Sequence, residues 1–522
     1  MPQRPADRTN LPEPLDRDPL PPSRDMIATV GGRVLDPATA IFVPDVSPRP
    51  TVYVGPRLVI SKSIDVDGAM KVLSDVAEKL GWKVELDEED PRTRGLRFGV
   101  RGVTISVDSD RASIAPDGWT LLQQTRKQLG VKTVVGVGLD HVVFSGTIGS
   151  NPFHHSNPFH HSNPFHHSNP SVDVDPSSPV SSYAVPGWGG RQPVAYVGPA
   201  PRRAKKLATR RPVVAILDTG CGDHPWLDPV VKKGVKLNGK LIGYDDPLTE
   251  PDKIGDVVGQ LDGVIDPLSG HGTFISGLVH QACPDADILV WRVVPSQGPI
   301  VESDLIASLS QIAELVRRFH EGKRGGKVID VLSLSLGYYH ETPVDQQFDP
   351  TMYSILEDLS QHGTQVVCSA GNDATSRPSF PAAFGPWSDN KGPVTPAADT
   401  LPIVSVGALN PNLTTDALFS NAGPWVHTYV PGASVVSTMP TFQGGLQSAA
   451  ATKAFDRNRD SIDPDDFRGG FGVWSGTSFA APLFAGRVAA QLAGGLGAGD
   501  GIAAAAKRAK AAVAALTQKT PD

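Results

Sequence analysis

Residues 212–218 read PVVAILD, an apolar run closed by a single carboxylate and followed at once by the turn residues Thr219 and Gly220. A run without polar alternation suits a strand covered on both faces. Downstream, ADILVWRVV (286–294), KVIDVLSLSLG (327–337), TQVVCSAG (364–371) and LPIVSVGAL (401–409) have the same texture. Helical patterns separate them. One is expected after His271, one around 351–362, and one over 303–319 that sets Ile306, Leu309, Ala313, Val316 and Phe319 on one face. Apolar strands alternating with helices imply a mostly parallel sheet with helices on both sides, a three-layer α/β unit placed at 206–522. In such sheets the working site lies at the carboxyl ends of the strands, which is where Asp218 stands.

Upstream the texture differs. Residues 1–50 carry many prolines and charges, and a mostly unstructured arm is expected. Order is expected from TVYVGPRLVI (51–60), a strand-like run. Over 67–81, Met70, Leu73, Val76, Ala77 and Leu80 recur at helical spacing before Gly81, a helix stop. WKVEL (82–86) and LRFGVRGVTISV (96–107) follow as strands, Asp117 is placed to cap a helix closed by Gly130, and KTVVGVGLDHVVF (132–144) supplies a last strand. The order β-α-β-β-α-β predicts a small ferredoxin-like α+β domain over 51–148. A linker, 149–205, then carries NPFHHS starting at Asn151, Asn157 and Asn163. Asn-Pro steps resist helix, so the repeats are expected to be extended. Their six histidines offer metal chelation as one reading; tandem duplication in a tolerant linker is the preferred one, since nothing orients the imidazoles.

A net charge of −7 over 522 residues gives no reason to invoke nucleic acid or an anionic membrane. The first thirty residues lack the apolar core of a secretory signal, and no run of eighteen apolar residues predicts a membrane span. Cys221, Cys283 and Cys368 are too few for a disulfide framework. A cytoplasmic location is the expectation, with secretion left open.

Four residues carry candidate chemistry. Asp218 ends a strand, and alone it could equally cap a turn. His271 sits in SGHGTFISG among residues small enough to leave its ring accessible, and an imidazole can act as base and then acid within one cycle. Ser478, in WSGTSFAAPLFAGRVAA, precedes a helical stretch whose positive end favours developing negative charge; its plain alternative is an N-cap. Pro482 is compatible with that helix if it falls in the first turn. Asn372 ends VVCSAGN, where a side-chain amide can donate to an oxyanion.

Together these segments resemble the subtilisin-like serine proteases, or subtilases: VVAILDTG, GHGTFISGLV, SLSLG, VVCSAGND and GTSFAAPLFAGRVAA run in register from about 211 to 492 in the chain order Asp, His, Asn, Ser. The resemblance implies a serine endopeptidase acting on polypeptides, with Ser478 as nucleophile, His271 as base and acid, Asp218 orienting the imidazole, and Asn372 with the Ser478 N–H binding the oxyanion. It further implies that Ser333, Leu334, Ser335, Leu336 and Gly337 line a cleft taking the substrate as an added strand. Ser369, Ala370 and Gly371 would border the pocket for the residue before the scissile bond. The related sedolisins use an acidic base and an oxyanion-hole Asp, where this chain has His271 and Asn372.

The N-terminal domain resembles this family's propeptides in element order. An autoprocessed zymogen is therefore expected, with that domain as intramolecular inhibitor and self-cleavage in the arm 150–205. The alternative is a catalytically silent binding protein on the same fold. No cofactor is expected. Calcium at the acidic run Asp456, Asp460, Asp463, Asp465 and Asp466 is the one metal considered, against a preferred solvated loop. Spans 230–259 and 439–474 look like insertions, and Cys221 is taken as a packing residue.

Overall fold

The computed structural model describes residues 16–517 apart from 20, 42, 44–45, 111–112, 131–133, 146–179, 259–264, 297, 343–350, 398–399, 444–450 and 498–500. The NPFHHS repeats lie outside the described residues. Seven strands form a central sheet in the order β7 (Val231–Lys233), β8 (Asp287–Arg292), β6 (Val213–Asp218), β10 (Val331–Leu334), β12 (Gln365–Ser369), β13 (Val404–Leu409), β14 (Thr428–Pro431), every neighbouring pair parallel. Side-chain alternation sorts the two faces. Val214 and Ile216 pack with Val290, Val331 and Val406 against helices α3 (His271–Ala282) and α6 (Thr477–Leu492). Ala215 and Leu217 pack with Leu289, Leu332 and Val366 against α4 (Glu302–His320) and α5 (Thr351–Gln361). Both faces are therefore buried, which is why these strands read as unbroken apolar runs. On α4 the register holds through Val316, but Phe319, in the last turn of a helix that ends at His320, is exposed.

The N-terminal unit has a four-stranded antiparallel sheet in the order β2 (Trp82–Leu86), β3 (Val100–Val107), β1 (Arg57–Ser61), β4 (Val137–Gly138). Helices α1 (Val66–Lys79) and α2 (Gly118–Leu129) cover one face through Leu73, Val76, Trp119 and Leu122. Asp65 and Asp117 cap them by accepting from Gly68 N and Thr120 N, and Gly81 (φ +74°) and Gly130 (φ +87°) stand at their ends. Val59 and Val100, on the opposite sheet face, join the apolar cluster that holds Leu305 and Leu309 of α4. That face is the contact with the larger unit. Arg92 pairs with Asp304 at 2.5 Å and Arg97 with Asp358 at 2.9 Å across the junction.

Three expectations are corrected. The arm is structured in part: helix Arg24–Thr29 is capped by Ser23, and strand Gly32–Val34 pairs with Val52–Val54. The run 132–144 is two strands, because β5 (Val142–Ser145) leaves the small sheet to pair elsewhere. The end of the linker also belongs to the larger unit, since Gln192–Val194 pairs with Phe471–Trp474 and Arg191 lies over the Trp474 ring at 4.9 Å. Among the described residues no helix is long and apolar enough to cross a membrane.

Candidate active site

Asp218 is the last residue of β6, and the chain turns there because Gly220 (φ +111°) takes a backbone that other residues avoid. Gly272 is equally constrained, since a Cβ there would sit 2.0 Å from the Gly220 carbonyl. That close approach brings the first turn of α3 onto the Asp218 turn. His271 Nδ1 then lies 2.6 Å from Asp218 Oδ1, with both side chains fully buried. The Thr219 N–H also donates to Oδ1 at 2.8 Å. Trp474 and Phe479 wall the imidazole at ring distances of 5.7 and 5.3 Å. Its Nε2 is buried and has no hydrogen-bond partner among the described residues.

Ser478 occupies the second position of α6. Pro482 is the sixth residue of that helix, not part of its first turn, so the Ser478 carbonyl lacks its usual N–H partner. The Ser335 hydroxyl donates to that carbonyl at 3.0 Å instead. In return the Ser478 hydroxyl donates to Ser335 O at 3.2 Å. Asn372 is fixed from the other side: its Oδ1 accepts from Thr477 N and Thr477 Oγ1, both at 2.9 Å, which makes the donor end of the amide the one turned away from Thr477.

One supporting residue escaped sequence reasoning. Asp252, fully buried in the span 230–259, accepts from Thr219 Oγ1 at 2.5 Å, Thr273 N at 2.9 Å and Thr273 Oγ1 at 2.5 Å. Thr219 Oγ1 in turn accepts the Gly272 N–H at 2.8 Å, so Asp252 ties the Asp218 turn to the His271 helix. Burial pushes its pKa up, against the hydrogen bonds from Thr219 and Thr273. No spacing rule singles out an aspartate in an insertion; only its three buried donors do.

Comparison with known proteins agrees with this geometry. Residues 209–498, more than half of the chain, match the family model described as the Subtilase family (Peptidase_S8). The chain belongs to the subtilase family. It is similar to serine protease AprX of Bacillus subtilis (strain 168), at 26% identity over 45% of this chain and 49% of that one. It is also similar to the major intracellular serine protease of the same organism, at 24% identity over 48% and 67%. The chain thus spans about half the length of the first of these relatives. Among solved structures, fervidolysin from Fervidobacterium pennivorans matches with a TM-score of 0.44 and 17% identity, over 84% of this chain and 55% of that one.

In this subtilase the other expected site residues divide. Ser333 and Leu334 lie inside β10, with Leu334 in the apolar core, and Ala370 is likewise core, its N–H held by Val406 O. These three point into packing because β10 and the end of β12 are central strands. Ser335 touches Ser478, as above. Leu336 and Gly337 form a short strand, β11, that pairs antiparallel with β5: Leu336 lies opposite Ser145 and Gly337 opposite Phe144. On its other edge β5 pairs antiparallel with β9 (Ile300–Val301). Ser369, Gly371 and Asn372 line a pocket whose further walls are Phe144, Ser145, Tyr339 and the arm residues Pro19, Pro21 and Pro22. The acidic run does not converge: Asp456 and Asp460 are exposed on a hairpin, and Arg468 holds Asp466. Cys221 is buried beside the site, which pushes its thiol up to about 12.

Proposed function

We propose that this subtilase is a serine endopeptidase made as a zymogen. Its N-terminal unit, over 51–148 and ferredoxin-like in element order, serves as propeptide and occupies its own cleft. The observation that carries this reading is the buried Asp218–His271 pair at 2.6 Å, its imidazole against Phe479, the residue after Ser478, with β5 lying as the middle strand between β9 and β11. An added strand is how a protease holds an extended peptide: main-chain hydrogen bonds give affinity and side-chain pockets give selectivity. Ser145 Oγ donates to Ser335 O at 3.4 Å, and Ser478 Oγ donates to the same carbonyl at 3.2 Å. The strand therefore ends beside the nucleophile. Self-cleavage is accordingly assigned downstream of Ser145, in the arm 150–205.

In the reaction, the Ser478 hydroxyl turns from Ser335 O to His271 Nε2, gives up its proton there and bonds to the peptide carbonyl carbon. Asp218, bound to Nδ1, keeps Nε2 as the acceptor and stabilises the cation that forms. The Ser478 N–H, at the positive end of α6, and the Asn372 amide take the oxyanion. His271 then protonates the leaving amine. Water, deprotonated by the same nitrogen, releases the acyl group from Ser478.

Intact-mass analysis and N-terminal sequencing of the purified protein beside Ser478→Ala test this. The wild type should yield a new terminus downstream of Ser145, in the arm 150–205, and the variant should stay whole. Identical full-length chains in both would contradict self-processing.

A further inference from the structure

Just before β5, the chain of the N-terminal unit drives His141 into the larger unit, where it is fully buried and distant in role from the proton-transfer residues. Its Nδ1 lies 2.6 Å from Glu302 Oε2 and its Nε2 lies 2.8 Å from Glu341 Oε2. His340 completes the group: its Nδ1 is 3.2 Å from the same Glu341 oxygen, and its ring is 4.7 Å from that of His141. One ligand atom each from His141, His340 and Glu341 falls within 4.8 Å of the others. Glu341 Oε1 is buried with no hydrogen-bond partner among the described residues, an acceptor left over in the middle of the cluster.

We propose that His141, His340 and Glu341 form a binding site for a zinc-like divalent transition ion, one that bridges the two units. Two imidazoles and one carboxylate are a ligand set for Zn2+ or its neighbours rather than for calcium, which takes six or more oxygens. The spacing suits it. With Zn–N and Zn–O bonds near 2.0–2.1 Å, adjacent donors of a tetrahedral site stand about 3.3 Å apart. The present separations from Glu341 Oε2, 2.8 and 3.2 Å, need to open by only a few tenths of an ångström to approach that, while the two imidazole nitrogens, within 4.8 Å of each other, must draw together around the ion. The surroundings suit it too. Glu302 accepts from His141 Nδ1 and is itself held by the Tyr338 hydroxyl at 3.0 Å, the outer carboxylate that commonly orients a metal-bound histidine. Glu341 Oε1 or water supplies the fourth position. Without metal His141 carries a proton on each ring nitrogen, Nδ1–H directed at Glu302 and Nε2–H at Glu341. On binding, the ion takes Nε2, the proton leaves to solvent and Nδ1–H stays with Glu302. Four competitors face the site: the Arg126 charge near Glu341, the Thr342 carbonyl 2.9 Å from His340 Nδ1, and the Thr342 N–H and hydroxyl, each 3.1 Å from the same nitrogen.

Because one ligand comes from the N-terminal unit and two from the peptidase unit, the ion would fasten the inhibitor over the cleft. That consequence rests on the zymogen reading above; the binding itself does not. The test uses the full chain carrying Ser478→Ala, with His154, His155, His160, His161, His166 and His167 changed to alanine so that the linker repeats cannot contribute. Titration with Co2+ should give the strong visible absorption of a four-coordinate ion at one equivalent, displaced by Zn2+. The band should vanish in Glu341→Gln and His340→Gln, and Glu302→Gln should bind ~10–100-fold more weakly. Zn2+ should also raise the thermal midpoint of the parent, a readout that needs no variant to fold. No four-coordinate band with no rise in the midpoint, or a band unchanged by Glu341→Gln, overturns the site. Metal binding without metal-dependent inhibition of the enzyme with Ser478 restored would instead sink the latch alone.

Discussion

His271 is held by one hydrogen bond and two aromatic walls, and the sizes of the mutational effects follow from that. Asp218→Asn should keep the ring in place but favour the wrong tautomer, lowering kcat by roughly 10⁴-fold, as the equivalent change does in a chymotrypsin-type enzyme. Asn372→Ala should lower kcat by ~10²–10³-fold with little change in KM, because the donor acts on charge present only in the transition state; loss of one such donor in subtilisin has that size. Steady-state kinetics on a peptide substrate measures both. At this scale the sequence was legible wherever residue type and local texture coincide: a carboxylate ending an apolar run, a histidine between glycines, a serine at the start of a helix. It was silent on Asp252, whose importance lies in three donors converging from distant segments.

Elements show how a local rule is broken and repaired. Pro482 would be a fault six residues into α6 if Ser335 did not supply the missing donor to the Ser478 carbonyl. Ser335→Ala should strand that buried acceptor and destabilise the fold by about 1–3 kcal/mol, read as a lower denaturation midpoint in a Ser478→Ala background. Helix α4 is repaired from outside. Its preceding residue, Val301, has no side chain able to cap it, and Asp140 of the N-terminal unit accepts from Ser303 N at 2.9 Å and Ser303 Oγ at 2.8 Å. Periodicity located α4, yet nothing local announces a cap lent by another unit. At the sheet edge, His427 Nδ1 faces the Ser405 hydroxyl at 2.9 Å, and burial pushes its pKa down to about 4. An unfolded histidine titrates near 6.5, so between about 6.5 and 4 the unfolded chain binds the extra proton. The stability due to neutral His427 is full above that window and lost on acidification through it, at most on the order of 3 kcal/mol. Thermal midpoints at pH 7 and pH 5 should differ less in His427→Asn than in the parent.

On the scale of the whole molecule, the N-terminal unit completes the larger one: it caps α4, fills the edge between β9 and β11, and roofs the pocket beside Asn372. Val143, fully buried opposite Ile300, is central to that seating. Val143→Arg should undock β5, and the variant should show higher basal peptidase activity at equal Ser478 content. Sequence alone could not place β5 between β9 and β11, because strand pairing between residues so far apart, such as Val143 with Ile300 and Ser145 with Leu336, leaves no periodic trace. The central claim is that Ser478 is the nucleophile activated by His271 and Asp218. Its most direct test is covalent labelling of the Val143→Arg protein with a fluorophosphonate, followed by peptide mapping. A single adduct on Ser478, absent from Ser478→Ala, is the predicted result; no adduct, or labelling and peptide hydrolysis that persist in Ser478→Ala, would contradict it.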